Sequence, residues 1–422
     1  MRLINTSTLQ VEQFLGTNKP PYAILSHTWG DQEVTYEEAL DPRPETVQKT
    51  GYEKIRRCCI IAKEHGLSYA WIDTCCIDKR NSVELSEAIN SMYRWYRDAE
   101  VCFAYIVDFK MVPFGGVADK TQALERSRWF SRGWTLQELI APRKRLFFSN
   151  NWSPIRFSAG ENQSDSLDGI LASIADVSLD VLLHRKSLSK ICVAERISWA
   201  SQRETSRDED MAYCLMGILN VNMPILYGEG ARKAFRRLQE EIMKSSFDYS
   251  LFAWISRYSE SGLLAPSPAD FKDLPHLGLW SPSMLTPFQM TNLGLIVTLN
   301  FTHKEQQEND FANPPYFTRA ALQVDVETEY GWGIYVIRLR PIMSLSYYVN
   351  GRKCRAFRRV GCARFEATNS DSFVGTTYEE ILVLEDEHLE FVQTAQEGHV
   401  ERWPVWLPNT MFRLEGNYYD KS

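Results

Sequence analysis

Before residue 150 this chain alternates short apolar runs with apolar stripes at helical spacing, whereas after about residue 270 strand-like runs stand alone. No other feature constrains its folding so much. Tyr22-Ala23-Ile24-Leu25 predicts a first strand that ends in the polar pair Ser26 and His27. A helix is expected from about Tyr52, with Ile55, Cys58, Cys59 and Ala62 on one face and Gly66 ending it. Ser68–Ile72 reads as the next buried strand, terminated by Asp73. Asn81 with Glu84 three positions later marks a capped helix start, and Leu85, Ile89, Met92 and Tyr96 form its stripe. Val101–Val107 and Arg145–Phe148 supply a third and a fourth strand. Strands alternating with helices imply a mainly parallel sheet covered on both faces. Ligands of such sheets bind at the carboxyl ends of the strands, where Ser26, His27 and Asp73 fall.

At 422 residues the chain exceeds what one core usually serves. Three regions are expected: an α/β domain over 1–157, a helical segment over 167–255 and a β-rich domain over 270–422. The polar stretch from Ser158 to Ser166 is a linker or long loop. The middle region carries apolar residues at helical spacing, first Ile191, Ala194, Ile197 and Trp199, then Met211, Cys214, Leu215 and Ile218. Gly228-Glu229-Gly230 lacks the third glycine and the preceding strand of a dinucleotide fingerprint, and reads as a loop into a basic helix through Phe235, Leu238 and Ile242. The runs Leu295–Leu299, Ala320–Val326, Ile334–Leu339, Ser346–Val349 and Ile381–Leu384, punctuated by Pro and Gly, predict an antiparallel sandwich or barrel.

The net charge of −7 argues against a nucleic-acid partner, which needs a clustered basic face. The nearest approach to one, Arg352, Lys353, Arg355, Arg358 and Arg359, reads as an exposed hairpin. The nine cysteines are odd in number, and Cys58-Cys59 and Cys75-Cys76 are adjacent, which suits no secreted disulfide framework. No Cys-x-x-Cys occurs and the seven histidines are scattered, so no metal site is expected. The start MRLINTSTLQVEQFL lacks the apolar core of a signal peptide, and no run is long enough to span a bilayer. A reduced, cytoplasmic protein is the expectation.

Three segments then carry a resemblance: AILSHTWGD, GLSYAWIDTCCIDKRNSVELSEAINSMYRWYRDAEVCFAYIVD and SRWFSRGWTLQELIAP, in that order within the first 150 residues. Together they resemble the fungal heterokaryon-incompatibility (HET) domain and, more distantly, the Toll/interleukin-receptor (TIR) domain. AERISWASQRETSRDEDMAYCLMGILNVNMPILYGEGARKAFRRLQEEI is similar to the helical segment that follows HET domains. The resemblance implies an α/β fold with a TIR/flavodoxin-like parallel sheet, a helical middle segment and a β-rich C-terminal domain. It also implies self/non-self recognition and regulated cell death, with self-association or a protein partner.

The TIR likeness implies a catalytic role for Glu138. Such domains place their glutamate in Ser-x-Trp-Cys-x-x-Glu-Leu; Ser131-Arg132-Gly133-Trp134-Thr135-Leu136-Gln137-Glu138-Leu139 has one extra residue before Trp134 and Thr135 in place of Cys. The expected chemistry is NAD hydrolysis, with NAD as substrate and no bound cofactor. Nicotinamide leaves as a group already cationic on its ring, so no general acid is needed, unlike ordinary glycoside cleavage. One carboxylate at the edge of the pocket suffices to stabilise the oxocarbenium-like transition state.

Around Glu138, Ser26 and Thr28 are candidates for phosphate contacts, His27 and Asp73 for the pocket lining, and Trp29 or Trp134 for ring stacking. Each has a plainer reading. Glu138 fits the solvated face of a short helix ended by Pro142, the tryptophans fit core packing, and Asp73 fits a turn. Cys75 or Cys76 with His27 would form a thiol–imidazole pair, though buried inert cysteines are commoner. The alternative function is a non-enzymatic HET signalling module.

Overall fold

The structure is a computed structural model that describes residues 1–16, 18–110, 117–157, 166–256, 260–278, 286–292, 294–301, 318–328, 331–349, 352–360, 367–368, 378–385 and 413–414. Residues 158–165 of the expected linker, and Cys362, lie outside the described residues. The chain divides into two compact units. The first comprises Met1–Lys190 with Gln202–Ala234, and the second Ile191–Ser201 with Phe235–Ser422.

The first unit is built on a sheet of six strands, β1 (Arg2–Asn5), β2 (Val11–Gln13), β3 (Ala23–His27), β4 (Tyr69–Trp71), β5 (Val101–Tyr105) and β6 (Arg145–Phe148), in the order β2-β1-β4-β3-β5-β6. The helices between them are α1 (Tyr36–Leu40), α2 (Pro44–Val47), α3 (Thr50–Glu64), α4 (Asp73–Cys76), α5 (Ser82–Asp98), α6 (Val117–Glu125), α7 (Arg128–Ser131) and α8 (Thr135–Ile140). β4, β3, β5 and β6 run parallel, as the alternating pattern demands. β1 and β2 add an antiparallel hairpin at one edge, with Ile4 opposite Ala70, which the apolar pattern does not announce.

Burial explains this part of the fold. All five residues of β3 and of β5 are buried, as a strand covered on both faces must be. On α3 the buried face is Ile55, Cys58, Cys59 and Ala62, and on α5 it includes Ile89, Met92 and Tyr96. Each fully buried large apolar side chain contributes roughly 1.5–3 kcal/mol. Asn81 caps α5 by accepting from the Val83 and Glu84 N–H groups. The Glu84 carboxylate does not close the expected box, because it pairs with Arg2 and accepts from the Asp78 N–H instead.

The chain reverses its strand order between β3 and β5, since β4 lies on one side of β3 and β5 on the other. The crevice above such a reversal is the natural ligand position of an open α/β sheet.

Residues 202–234 belong to this unit and pack on α5. Asn90 holds Met223 through both of its side-chain groups, each at 3.2 Å. A Cβ on Gly217 would lie 2.1 Å from Tyr93 Cβ. Gly217→Ala should therefore lower the stability of the unit by about 1–3 kcal/mol, the usual cost of overpacking. An unchanged thermal melt would show that the two segments do not press together.

In the second unit five strands form a closed circuit: Gly331–Val349, Thr318–Thr328, Gly294–Phe301, Tyr378–Leu384 and Arg352–Val360, the last pairing back to the first. One contact in it is parallel, between Arg352–Val360 and Tyr378–Leu384, and the other four are antiparallel. This barrel-like sheet fulfils the β-rich expectation. The basic run is half of a hairpin, but it is not wholly exposed. Arg359 is 2% exposed, its guanidinium lies 3.9 Å from the Trp254 ring centre, and it donates to the Phe252 and Trp254 carbonyls. Aromatic and carbonyl partners supply what water would have given the charge.

Seven cysteines, Cys58, Cys59, Cys75, Cys76, Cys102, Cys192 and Cys214, are free and buried. Among the described residues no group of three or more His, Cys, Asp or Glu is placed to hold a metal, and no helix is long and apolar enough to cross a membrane.

Candidate active site

Successive residues of a strand face opposite sides of the sheet, so the end of β3 serves two networks at once. Ser26 points toward α7 and α8, and His27 toward α3 and α4.

On the first side, Ser26 Oγ donates to Glu138 Oε2 at 2.5 Å and accepts from Trp129 Nε1 at 2.8 Å. Trp129, from α7, is fully buried and packs edge-on against Phe130 and Phe147. Tyr96 of α5 donates to the Leu25 carbonyl at 3.0 Å, with its hydroxyl near the Glu138 carboxyl. Glu138 is 8% exposed, and every residue of α8 is buried. The solvated-face reading is thereby overturned. Glu138 sits in the core because α8 packs against β3 and α5.

Burial pushes the Glu138 carboxyl up to about 8, and the nearby Asp73 charge adds to that. The Ser26 hydrogen bond, the Tyr96 hydroxyl and the Arg132 charge oppose the shift without cancelling it.

On the second side, Asp73 opens α4 and receives two N–H groups. His27 Nε2 lies 3.0 Å from Oδ1, and Trp29 Nε1 donates to Oδ2 at 2.8 Å. Lys54 Nζ lies 2.8 Å from His27 Nδ1 and donates to Glu33 at 2.5 Å. An ammonium only donates, so Nδ1 accepts and Nε2 carries the proton given to Asp73. Burial works against the Asp73 charge, but His27, the Lys79 ammonium and the Trp29 indole outweigh it and hold the carboxyl at about 2. Lys79 Nζ lies 3.5 Å from the centre of the Trp29 ring, a cation–π contact on a tryptophan that is 47% exposed.

Two carboxyls that feel one another electrostatically are thus driven apart in acidity, a pattern shared by many acid–base sites.

The structure brings together Ser26 with Glu138, and His27 and Trp29 with Asp73, and it buries Thr28 beside them in the chain. Trp134 stands apart. It is half-buried ahead of α8, and its indole is engaged by Asp210. The thiol–imidazole pair is overturned as well: both His27 nitrogens are occupied by Lys54 and Asp73. Cys75 is pushed well above the usual thiol range by its hydrogen bond with Cys76 and by burial. Residues the sequence reading passed over are Trp129, Tyr96, Lys54, Glu33 and Lys79. Only Trp129 had a signal, its place within the same aromatic motif as Glu138.

A cleft of about 280 Å³, lined by residues including Arg2, Asn81, Glu87 and Trp95, contains none of the Ser26, His27, Asp73 and Glu138 set. The physical case for a site rests on the carboxyl networks, not on that cleft.

Residues 22–110 match the family model described as Heterokaryon incompatibility protein (HET), and residues 233–361 match one described as Domain of unknown function (DUF8212). The chain is 47% identical over 229 residues to the Vegetative incompatibility protein HET-E-1 of Podospora anserina. That match covers 53% of this chain and 16% of the Podospora protein. No solved structure matches.

Proposed function

The chain is a heterokaryon-incompatibility (HET) domain protein, and from that premise we propose that it is an effector of vegetative incompatibility and regulated cell death. Its first unit, in this reading TIR-like, hydrolyses NAD at the nicotinamide–ribose bond. The observation that carries the reading is Glu138: an acid in the core at the carboxyl edge of a parallel sheet, held by hydroxyl groups. A glutamine there would avoid the cost of an ionisable group, so an acid at this position favours a chemical role.

In the proposed reaction the bond from the anomeric carbon to nicotinamide breaks, the electron pair leaves with the now neutral ring, and water adds to the ribosyl cation with loss of its proton. Ionised Glu138 stabilises the positive charge that builds on the ribose. A pyridinium ring entering beside Glu138 favours that ionised form, as any close opposite charge does. Asp73, ionised throughout the neutral range, and the Trp29 face supply the rim that receives the cationic ring.

The second reading, a non-enzymatic module acting by self-association or on a protein partner, draws support from the low exposure of Glu138, 8%. Purified full chain incubated with NAD, dilute and then at forced high local concentration, separates the two. Release of nicotinamide is the expected result. None under either condition would transfer the case to the interaction module.

A further inference from the structure

Residues far outside the 22–110 match grip the segment that carries Glu138. Glu204 donates its N–H to the Ser131 carbonyl at 2.7 Å, and its own carbonyl accepts from Gly133 N at 2.8 Å, a two-bond parallel bridge. Arg203 Nη1 donates to the Arg132 carbonyl at 2.8 Å and to Thr135 Oγ1 at 3.0 Å. Arg132 reaches back to Ser206 Oγ at 2.8 Å. Gly133 permits this approach: a Cβ there would lie 2.6 Å from Thr205 Cγ2 and 3.1 Å from Cys214 Sγ.

Arg203 is 7% exposed. A buried guanidinium is costly unless its surroundings use the charge. Burial draws it down to about 10, while the Glu138 carboxyl supports its charge.

We propose that Arg203 is a positioning residue for the Glu138 site, fixing the turn that starts α8 and supplying a positive charge behind the carboxyl. The strap Arg203–Ser206 is then part of the active unit, although it lies more than sixty residues downstream of Glu138. The inference rests on the catalytic reading of Glu138. The titratable groups around that carboxyl are Asp73 from α4, Tyr96 from α5, Cys102 from β5, Arg132 beyond α7, and Arg203.

The test uses the full chain with Arg203→Met and Arg203→Lys. Misplacing a reacting group by about 1 Å can cost 10²-fold, so Arg203→Met should lower kcat for NAD by about 10- to 100-fold with KM nearly unchanged. Loss of the Arg203 charge, which interacts with Glu138, should also raise the apparent pKa of Glu138, by about 0.5–1 unit. That titration is followed through the infrared band of the protonated carboxyl, assigned by its absence in Glu138→Gln. Arg203→Lys keeps the charge but not the planar fork, so it should hold the titration in place while kcat still falls.

Folded Arg203→Met with a wild-type kcat and an unmoved titration would overturn the inference. If Arg203→Met does not fold, Arg203→Lys decides, and a wild-type kcat overturns it. A wild-type chain that releases no nicotinamide defeats the NAD reading alone. The carboxyl titration in Arg203→Met then still judges Arg203, an unmoved band counting against it.

Discussion

Glu138→Gln should cut NAD turnover by about 10²–10³ while making the folded chain more stable at neutral pH. The rate loss is the ordinary consequence of removing a preorganised electrostatic contact from a transition state. The gain in stability follows from the sign of the Glu138 shift. Its folded-state pKa, about 8, lies above the unfolded value near 4.5, so the folded chain binds the proton more tightly. The stabilisation from that proton is complete below about pH 4.5 and is lost as pH rises through about 8. Across this window wild-type stability loses up to about 1.4 kcal/mol per pH unit from this one group.

Glutamine does not titrate, and it keeps an oxygen to accept from Ser26. Its amide N–H groups need acceptors of their own, at a cost of about 1–3 kcal/mol if they go unmet. The net expectation at pH 7 is a gain of about 1–2 kcal/mol over wild type. The comparison is made on one preparation, with melts at pH 5 and pH 8 and turnover beside them. A mutant that trails wild type more at pH 8 than at pH 5 would mean that Glu138 is ionised in the folded state. An unchanged rate in a folded mutant would remove the residue from the mechanism.

The pH dependence of the reaction should be nearly as large. With Glu138 titrating near 8, its ionised fraction grows about tenfold per pH unit below that value. The kcat/KM for NAD, which reports free-enzyme groups, should therefore rise about 50-fold between pH 6 and 8 and level off above. Asp73, held at about 2, stays ionised throughout and adds no second limb in this range. A flat profile, or one that falls with pH, would contradict an ionised Glu138 as the stabilising group. A rise centred well below neutrality would imply that bound substrate or a rearranged site keeps the carboxylate charged.

These expectations rest on burial that local sequence does not display. Glu138 lies in a six-residue helix bounded by Gly133 and Pro142, and the same letters fit a solvated turn or a pocket rim. What makes it a core acid is the packing of α8 on β3 and α5, with Trp129 and Ser26 closing over it. His27 and Asp73 were each visible as polar residues ending apolar strands. Their pairing at 3.0 Å, and the tautomer that Lys54 imposes, required β3 and β4 to be neighbours.

By itself the sequence determined the parallel strands β3 to β6, the helices α3 and α5, the barrel strands and the motif containing Glu138, because each depends on periodicity or spacing within one short window. Only the tertiary structure decided the β1–β2 hairpin, which finds its partner β4 about 65 residues away. It alone turned Trp134 to Asp210 rather than to the carboxyls, buried Arg359 under Trp254, and brought Arg203 to the start of α8. The physical reason is common to all four. A hydrogen-bond partner or a desolvated charge is a property of the space around a residue, and distant parts of the chain fill that space.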